Sequence, residues 1–176
     1  MLKHWDKLLN TDCIVVEIAG HLVYPIFRNA STSMFDECER KLVNQQISDC
    51  DNIHVVIRDP QERFRSGLNH YCQKNNLDLD HTWKQVEQDV VVDRHFSPQW
   101  IWLLHLSKYH HGTITIRPFS AVSDYCKTHH NKSNKEQVKE VRSIHRYVQQ
   151  DNILLEYLGK SVNIQQIVRE CKDGMS

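Results

Sequence analysis

The sequence predicts a three-layer α/β domain in which a central parallel sheet is flanked by helices and the C-terminal part is helical. Two observations predict this class. Short apolar runs rich in β-branched residues alternate with segments whose apolar residues recur every three to four positions. Their order along the chain is strand, loop, helix, strand, loop, helix, which is typical of parallel strands joined by right-handed crossovers. A chain of 176 residues forms a sizeable core, so we expect one domain over residues 1–176.

Four segments have the composition of strands. Residues 13–18 (CIVVEI) and 21–27 (HLVYPIF) are β-branched and aromatic, and Gly20 marks a turn or bulge between them. Residues 53–57 (IHVVI) form the continuous apolar run expected of a buried central strand. Residues 113–117 (TITIR) predict a further strand.

The apolar spacing between these strands predicts helices. One spans Met34 to Val43, a second begins at Pro60 and runs through Tyr71, and a buried third spans Trp100 to Leu106. The polar, lysine-rich stretch that follows predicts a solvated loop, with residues 130–137 as its mobile part. Helical spacing from Val138 to Val168 completes the predicted C-terminal part.

Composition excludes several classes of partner. Lys plus Arg and Asp plus Glu both number 22, so no global positive field exists to hold a nucleic acid, and any anion site must be local. The six cysteines are scattered without the close spacing of a zinc site. No stretch approaches the ~18 apolar residues of a membrane span, and the first ten residues lack a signal-peptide core. We therefore expect a cytoplasmic protein without metal, membrane span or nucleic-acid partner.

The first segment that indicates chemistry is residues 24–33 (YPIFRNASTS), where a strand enters a loop of small hydroxyl residues and then a helix. Such a loop directs backbone N–H groups and the positive end of a helix dipole towards one point, which suits a phosphate or sulfate. Arg28 adds a permanent cation. The plainer interpretation is a capped helix after a strand, and the G-x-x-x-x-G-K-[ST] pattern of nucleoside triphosphatases is absent.

The second is residues 58–66 (RDPQERFRS), which begin where the second buried strand ends. Ligands of an open parallel sheet collect at the carboxyl ends of its strands, so Arg58 is predicted to face the same ligand as Arg28. Its planar guanidinium suits a phosphate, and Ser66 offers a hydroxyl from the next helix. The plainer interpretation is a strand-to-helix turn capped by Asp59.

With these two motifs the chain resembles the sulfotransferase superfamily, and most closely its carbohydrate-sulfotransferase branch. In that family a K-N-[GA]-S-T-S loop binds the 5'-phosphosulfate of the donor, and an R-D-P-x-x-R-x-x-S segment binds its 3'-phosphate. Residues 28–33 (RNASTS) are similar to the first, and residues 58–66 match every fixed position of the second. Residues 93–99 (DRHFSPQ) resemble the D-x-H-x-x-P-Q segment found downstream in that branch.

The resemblance implies a P-loop-like domain that transfers a sulfuryl group from 3'-phosphoadenosine 5'-phosphosulfate (PAPS) to a hydroxyl of a carbohydrate acceptor, with no metal. Arginine stands at position 28 where the family usually has lysine. Because a guanidinium does not readily give up its proton, Arg28 would act by charge stabilisation and not as a proton donor. The donor-binding residues implied are Arg28, Asn29, Ala30, Ser31, Thr32, Ser33, Arg58 and Ser66.

Two residues compete for the role of general base. Asp36 stands at the offset of a glutamate that serves as base in glycosaminoglycan-type members of the family, and it lies on the same predicted helix face as Thr32. His95 lies in the third motif, residues 93–99, and an imidazole, with an ordinary pKa of about 6.5, suits base catalysis at neutral pH. The alternative role for His95 is to order its loop together with Asp93.

Two other function classes remain open. A nucleotide-dependent kinase would use similar loops, but it needs a magnesium-binding carboxylate and a lysine loop that the sequence does not show. A non-catalytic domain that binds a nucleotide or a sulfated ligand is favoured only by Arg28. The short chain leaves little room for insertions that shape an acceptor groove, so we expect the groove to be open or completed by a second subunit of a homodimer.

Overall fold

The structure is a computed structural model that describes residues 5–88, 93–128 and 148–174, so the predicted mobile segment 130–137 lies outside the described residues. Helices surround one mixed sheet of six strands, which confirms the predicted α/β class. The strands are β1 (Ile14–Ile18), β2 (His21–Val23), β3 (Arg40–Val43), β4 (Asn52–Ile57), β5 (Thr113–Pro118) and β6 (Ser161–Asn163). The helices are α1 (Asp6–Leu9), α2 (Ser31–Glu37), α3 (Pro60–Asn75), α4 (Leu79–Glu87), α5 (Gln99–Leu106), α6 (Asp151–Leu155) and α7 (Ile164–Asp173), with 3₁₀ turns at Asn44–Ile47 and Phe119–Asp124.

The sheet is mixed, whereas the sequence predicted a parallel one. Its strand order is β3-β1-β2-β4-β5-β6, and only the β2·β4 and β4·β5 pairs are parallel. Ala19 and Gly20, with φ of 49° and 75°, form the tight turn between β1 and β2. A turn this short joins only antiparallel strands, so the hairpin could not have been part of a parallel sheet.

The predicted helix from Met34 to Val43 is also wrong in its second half. Helix α2 ends at Glu37, and β3 pairs with β1 at the sheet edge in antiparallel register. An ion pair of 2.9 Å between Arg40 Nε and Glu17 Oε2 joins the two strands. The apolar spacing fits a helix, but strand pairing satisfies the backbone groups of this segment instead.

Two smaller differences concern the other strands. Strand β2 ends at Val23 and not at the predicted Phe27, because Pro25 has no N–H to donate to a neighbouring strand. The C-terminal part contains β6 in addition to the predicted helices, and β6 pairs antiparallel with β5. The predicted helix over residues 100–106 is confirmed as α5, which is buried on nearly every side.

Helices cover both faces of the sheet, as expected for a three-layer α/β domain. On one face, Val15, Val55 and Ile114 belong to the core cluster formed with α1, α5 and α7. On the other face, Val16 and Val56 pack with α2 and the second 3₁₀ turn. A third cluster joins α3 to α4. Within residues 5–88, 93–128 and 148–174, no helix is long and apolar enough to cross a membrane.

The sheet order determines where the two predicted motifs meet. Because β2 and β4 are adjacent and parallel, the loops that follow them leave the same edge of the sheet. Pro60 occupies the first turn of α3, and Asp59 caps that helix by accepting the N–H of Glu62 at 2.9 Å. Residues 58–66 therefore form the capped start of a helix, as the plainer interpretation predicted. They also lie beside the loop that follows β2.

Candidate functional site

The loop after β2 changes direction through two residues in the left-handed region. Arg28 has φ 70° and Ala30 has φ 64°, each of which costs a non-glycine residue about 1 kcal/mol. Between them, the fully buried Asn29 donates from Nδ2 to the carbonyl of Val56 at 2.9 Å and to Gln99 Oε1 at 2.6 Å. Asn29 thus holds the strained loop against β4 and α5.

The two predicted anion-binding motifs are in direct contact. The guanidinium of Arg28 donates to Ser66 Oγ from both Nε (3.0 Å) and Nη2 (2.7 Å). Arg58 donates from Nη1 to the carbonyl of Arg28 at 3.2 Å. Residues 38 positions apart in the chain are therefore joined at the carboxyl edge of β2 and β4.

The site has a concentrated positive charge. Burial and the nearby charge of Arg58 lower the pKa of Arg28. No carboxylate of the described residues forms an ion pair with Arg28. Arg58 Nε lies 3.8 Å from a carboxylate oxygen of the largely exposed Glu62, and this Nε has no hydrogen-bond partner. Two guanidinium groups with this little neutralisation are suited to bind an anion with more than one negative charge.

Helix α3 fixes the third motif against the first. Arg63, which is 2% exposed, donates to the carbonyl of Phe27 at 3.0 Å and, through Nη1, to the carbonyl of Ser97. Gly67 lies so close to the backbone of His95 that a Cβ at position 67 would stand 2.0 Å from the His95 carbonyl oxygen. Arg63, a fixed position of the second motif, therefore links the first motif to the third, and Gly67 allows α3 to approach the backbone of the third motif closely.

The buried side chain of Gln99 connects all of these segments. Its Oε1 accepts from Asn29 and from the backbone N–H of Arg58 (3.1 Å), and its Nε2 donates to the carbonyl of Arg58 at 2.9 Å. Asp151 in turn caps α5 by accepting the backbone N–H groups of Gln99 (2.7 Å) and Trp100 (2.9 Å). Sequence reasoning placed Gln99 in a motif without a role and missed Asp151, which is 52 positions away from Gln99 and has no local signal.

A cleft of about 420 Å³ opens beside Arg28. Three predicted donor-binding residues are buried and do not line this cleft: Asn29, Ala30 and Ser33. Two others, Arg58 and Ser66, are outside its lining and contact it only through their hydrogen bonds with Arg28. The cleft brings together five predicted site residues: Arg28, Ser31, Thr32, Asp36 and His95. The remaining lining residues are Phe27, Phe35, His70, Lys74 and Arg94.

Both candidate bases lie in this cleft, but only His95 is held by a neighbouring carboxylate. Asp93 Oδ1 accepts the backbone N–H of His95 at 2.8 Å and contacts its ring Nδ1. Burial raises the pKa of Asp93, but the hydrogen bonds from His95 outweigh burial and leave the pKa below its usual value. An ionised Asp93 fixes the proton on Nδ1, so Nε2 is the basic nitrogen of the neutral ring.

Sequence reasoning did not identify His70, whose ring lies 4.7 Å from that of His95. Burial and then the charge of Arg28 lower the pKa of His70, so it is neutral at pH 7 and does not add to the positive charge. Phe27 contacts His95 from another side, at 5.3 Å between ring centroids. These two rings confine the orientation of His95.

Across the described ranges, no group of three or more His, Cys, Asp or Glu side chains is arranged to hold a metal ion.

No family model matches the chain, and no curated protein or solved structure compared with it is significantly similar.

The contact at Gly67 leads to a stability prediction. Replacing glycine by alanine inside a helix usually stabilises a protein by up to about 1 kcal/mol, but Gly67→Ala places a methyl group against the backbone of His95. We expect a destabilisation of about 2 kcal/mol or more in urea unfolding. The control is Gly174→Ala, where the nearest atom is the flexible end of Ile153 at 3.2 Å. Equal stabilities of the two variants would contradict the contact.

Asp151 makes stability depend on pH. Burial raises its pKa from the ordinary value to about 6, so the native state keeps a proton that the unfolded chain has lost, and stability falls as pH rises through this range. Between about pH 4 and about pH 6.5 the wild type should lose about 2 kcal/mol relative to Asp151→Asn.

Urea unfolding at several pH values checks this, with the exposed Asp49→Asn as control. The buried histidines titrate alike in wild type and variant, so the difference between the two proteins isolates Asp151. Stability curves that stay parallel over the whole range would show that Asp151 ionises normally in the native state.

Proposed function

We propose that the chain transfers a sulfuryl group from PAPS to a hydroxyl of a carbohydrate acceptor. The observation that carries the proposal is the double hydrogen bond from Arg28 to Ser66. It joins the loop that resembles a 5'-phosphosulfate site to the segment that resembles a 3'-phosphate site. A ligand with anionic groups at both ends of a nucleoside suits two such motifs at one sheet edge.

The charge that favours donor binding comes mainly from the two guanidinium groups. Helix α2 has only seven residues, so its dipole is a weaker basis for an anion site than the sequence suggested. In the proposed complex Arg58 and Ser66 bind the 3'-phosphate, while Arg28, Ser31 and Thr32 face the phosphosulfate. Arg28 binds Ser66 through Nε and Nη2, so its remaining N–H groups are the ones that face the donor.

The proposed reaction is an in-line displacement at sulfur. The acceptor oxygen forms a new S–O bond, the S–O bond to the donor phosphate breaks, and 3'-phosphoadenosine 5'-phosphate (PAP) leaves. Arg28 stabilises the charge that develops on the phosphate oxygen. We assign the acceptor proton to His95 Nε2, because Asp93 holds the opposite ring nitrogen, while Asp36 is the rival base in the same cleft.

Calorimetric titration with PAP tests the donor site. We expect wild type to bind PAP, and Arg58→Ala to weaken binding at least about tenfold because a charged bidentate contact is lost. The matched control is Arg40→Ala, which removes an arginine from the edge strand β3. Failure of the folded protein to bind PAP would refute the sulfotransferase proposal, and equally tight binding of ATP would favour a kinase.

If His95 is the base, replacing it should lower kcat without changing the affinity for the donor. His95→Gln should lower the rate of ³⁵S transfer from PAPS to saccharide hydroxyls by about 10²- to 10⁴-fold with unchanged PAP affinity. Asp36→Asn should retain most of the activity, as should the control His111→Gln at an exposed position. A larger loss in Asp36→Asn would move the role to Asp36. PAP binding by wild type without any turnover would indicate a non-catalytic binding domain.

A further inference from the structure

A second cleft adjoins the proposed site. It has a volume of about 320 Å³ and shares Phe27, Phe35 and Arg94 with the cleft that contains Arg28. The two clefts are therefore neighbours with part of their walls in common. Neither a motif nor the proposed transfer step assigns a role to this second cleft.

The wall of the second cleft is mainly apolar and aromatic. Ile14, Pro25 and Trp102 line it together with the shared Phe27. The rings of Phe27 and Trp102 lie 5.0 Å apart between centroids, and Trp102 is 5% exposed. Trp102 thus supports Phe27, and the partly exposed ring of Phe27 offers flat apolar surface that binds another ring or an alkyl chain.

The uncharged polar groups on this wall already bind one another, and the exposed carboxylate of Asp12 accepts from Asn44 Nδ2 at 2.9 Å. Tyr24 Oη and His105 Nδ1 are 3.0 Å apart, and His105 Nε2 lies 2.9 Å from the carbonyl of Thr11. The hydroxyl of Thr11 donates to the carbonyl of Leu8 at 2.7 Å. Burial lowers the pKa of His105, so the ring stays neutral. A sugar placed against this wall would lose hydrogen bonds to water without full replacement, whereas an apolar group would lose none.

The boundary between the two clefts carries one charged side chain, Arg94, beside Phe27 and Phe35. Arg94 is exposed, and its guanidinium lies 4.8 Å above the ring of Phe27. On the Arg28 side, Ser31 and Thr32 supply hydroxyl groups and Asp36 supplies a carboxylate. A ligand that matches both clefts has a polyhydroxyl part joined directly to an apolar part.

We propose that the acceptor is a glycoside with an apolar aglycone, aryl or alkyl, and not an unsubstituted saccharide. The sugar that receives the sulfuryl group lies in the Arg28 cleft, and its aglycone packs against Phe27 and Trp102 in the second cleft. The sulfation of this ligand rests on the proposed function, whereas the aglycone site rests only on the second cleft. The two parts are separable by experiment.

The test compares 2-naphthyl and methyl β-glycosides of the same sugars by calorimetry on the whole chain, with and without PAP. We expect the naphthyl compounds to bind at least about tenfold more tightly, because burying each CH₂-sized group contributes about 0.8 kcal/mol. Ile14→Gln, on the partly buried edge of the second cleft, should remove this preference and leave PAP affinity unchanged. The matched control Leu42→Gln changes a partly buried strand residue outside both clefts and should keep the preference.

Equal affinity for naphthyl and methyl glycosides, a preference that survives Ile14→Gln, or no binding of either compound would overturn the aglycone site. If PAP binds and these results are obtained, the sulfotransferase proposal stands with a different acceptor. If PAP does not bind but the naphthyl preference depends on Ile14, the aglycone site stands and the transfer reaction falls. Urea unfolding of both variants verifies that each is folded.

Discussion

The buried amide of Gln99 is the interaction on which the rest of the site depends. Its oxygen and nitrogen satisfy the backbone of Arg58 and the side chain of Asn29, so one residue fixes the ends of two loops. Its own position follows from Asp151, which accepts the first two N–H groups of α5. Because Asn29, Gln99 and Asp151 are buried, removing any one of their side chains leaves polar atoms without partners in a place with little access to water.

This network permits an arrangement that is unfavourable by itself. Arg28 and Arg58 are like charges in a partly buried place, and Arg28 adopts a left-handed backbone. Both costs persist because the surrounding contacts leave the loop no alternative, which is the usual setting of strain at a binding site. A bound anion would reduce this repulsion, which is the electrostatic argument for the proposed donor site.

Local features of the sequence predicted how the two loops of the candidate site begin, whereas long-range pairings could not be predicted from it. The apolar run at residues 53–57, the capped start of α3 and the adjacency of the two loops follow from neighbouring residues and from strand order. Strand β3 could not be predicted, because its register is determined by pairing with β1 and its own spacing also fits a helix. Asp151 was missed for the same reason, since a cap supplied by a distant residue has no pattern in the sequence.

Arginine at position 28 fits this geometry in a way that lysine would not. Its planar group binds Ser66 through two N–H groups and still carries further donors, whereas an ammonium group offers three donors from a single point. Arg28 is therefore able to connect the two motifs and face a ligand at the same time. In the proposed reaction Arg28 therefore only stabilises charge on the leaving phosphate, and the acceptor proton goes to a base on the side of the cleft formed by the third motif. That side holds His95, oriented by Asp93 and enclosed by Phe27 and His70.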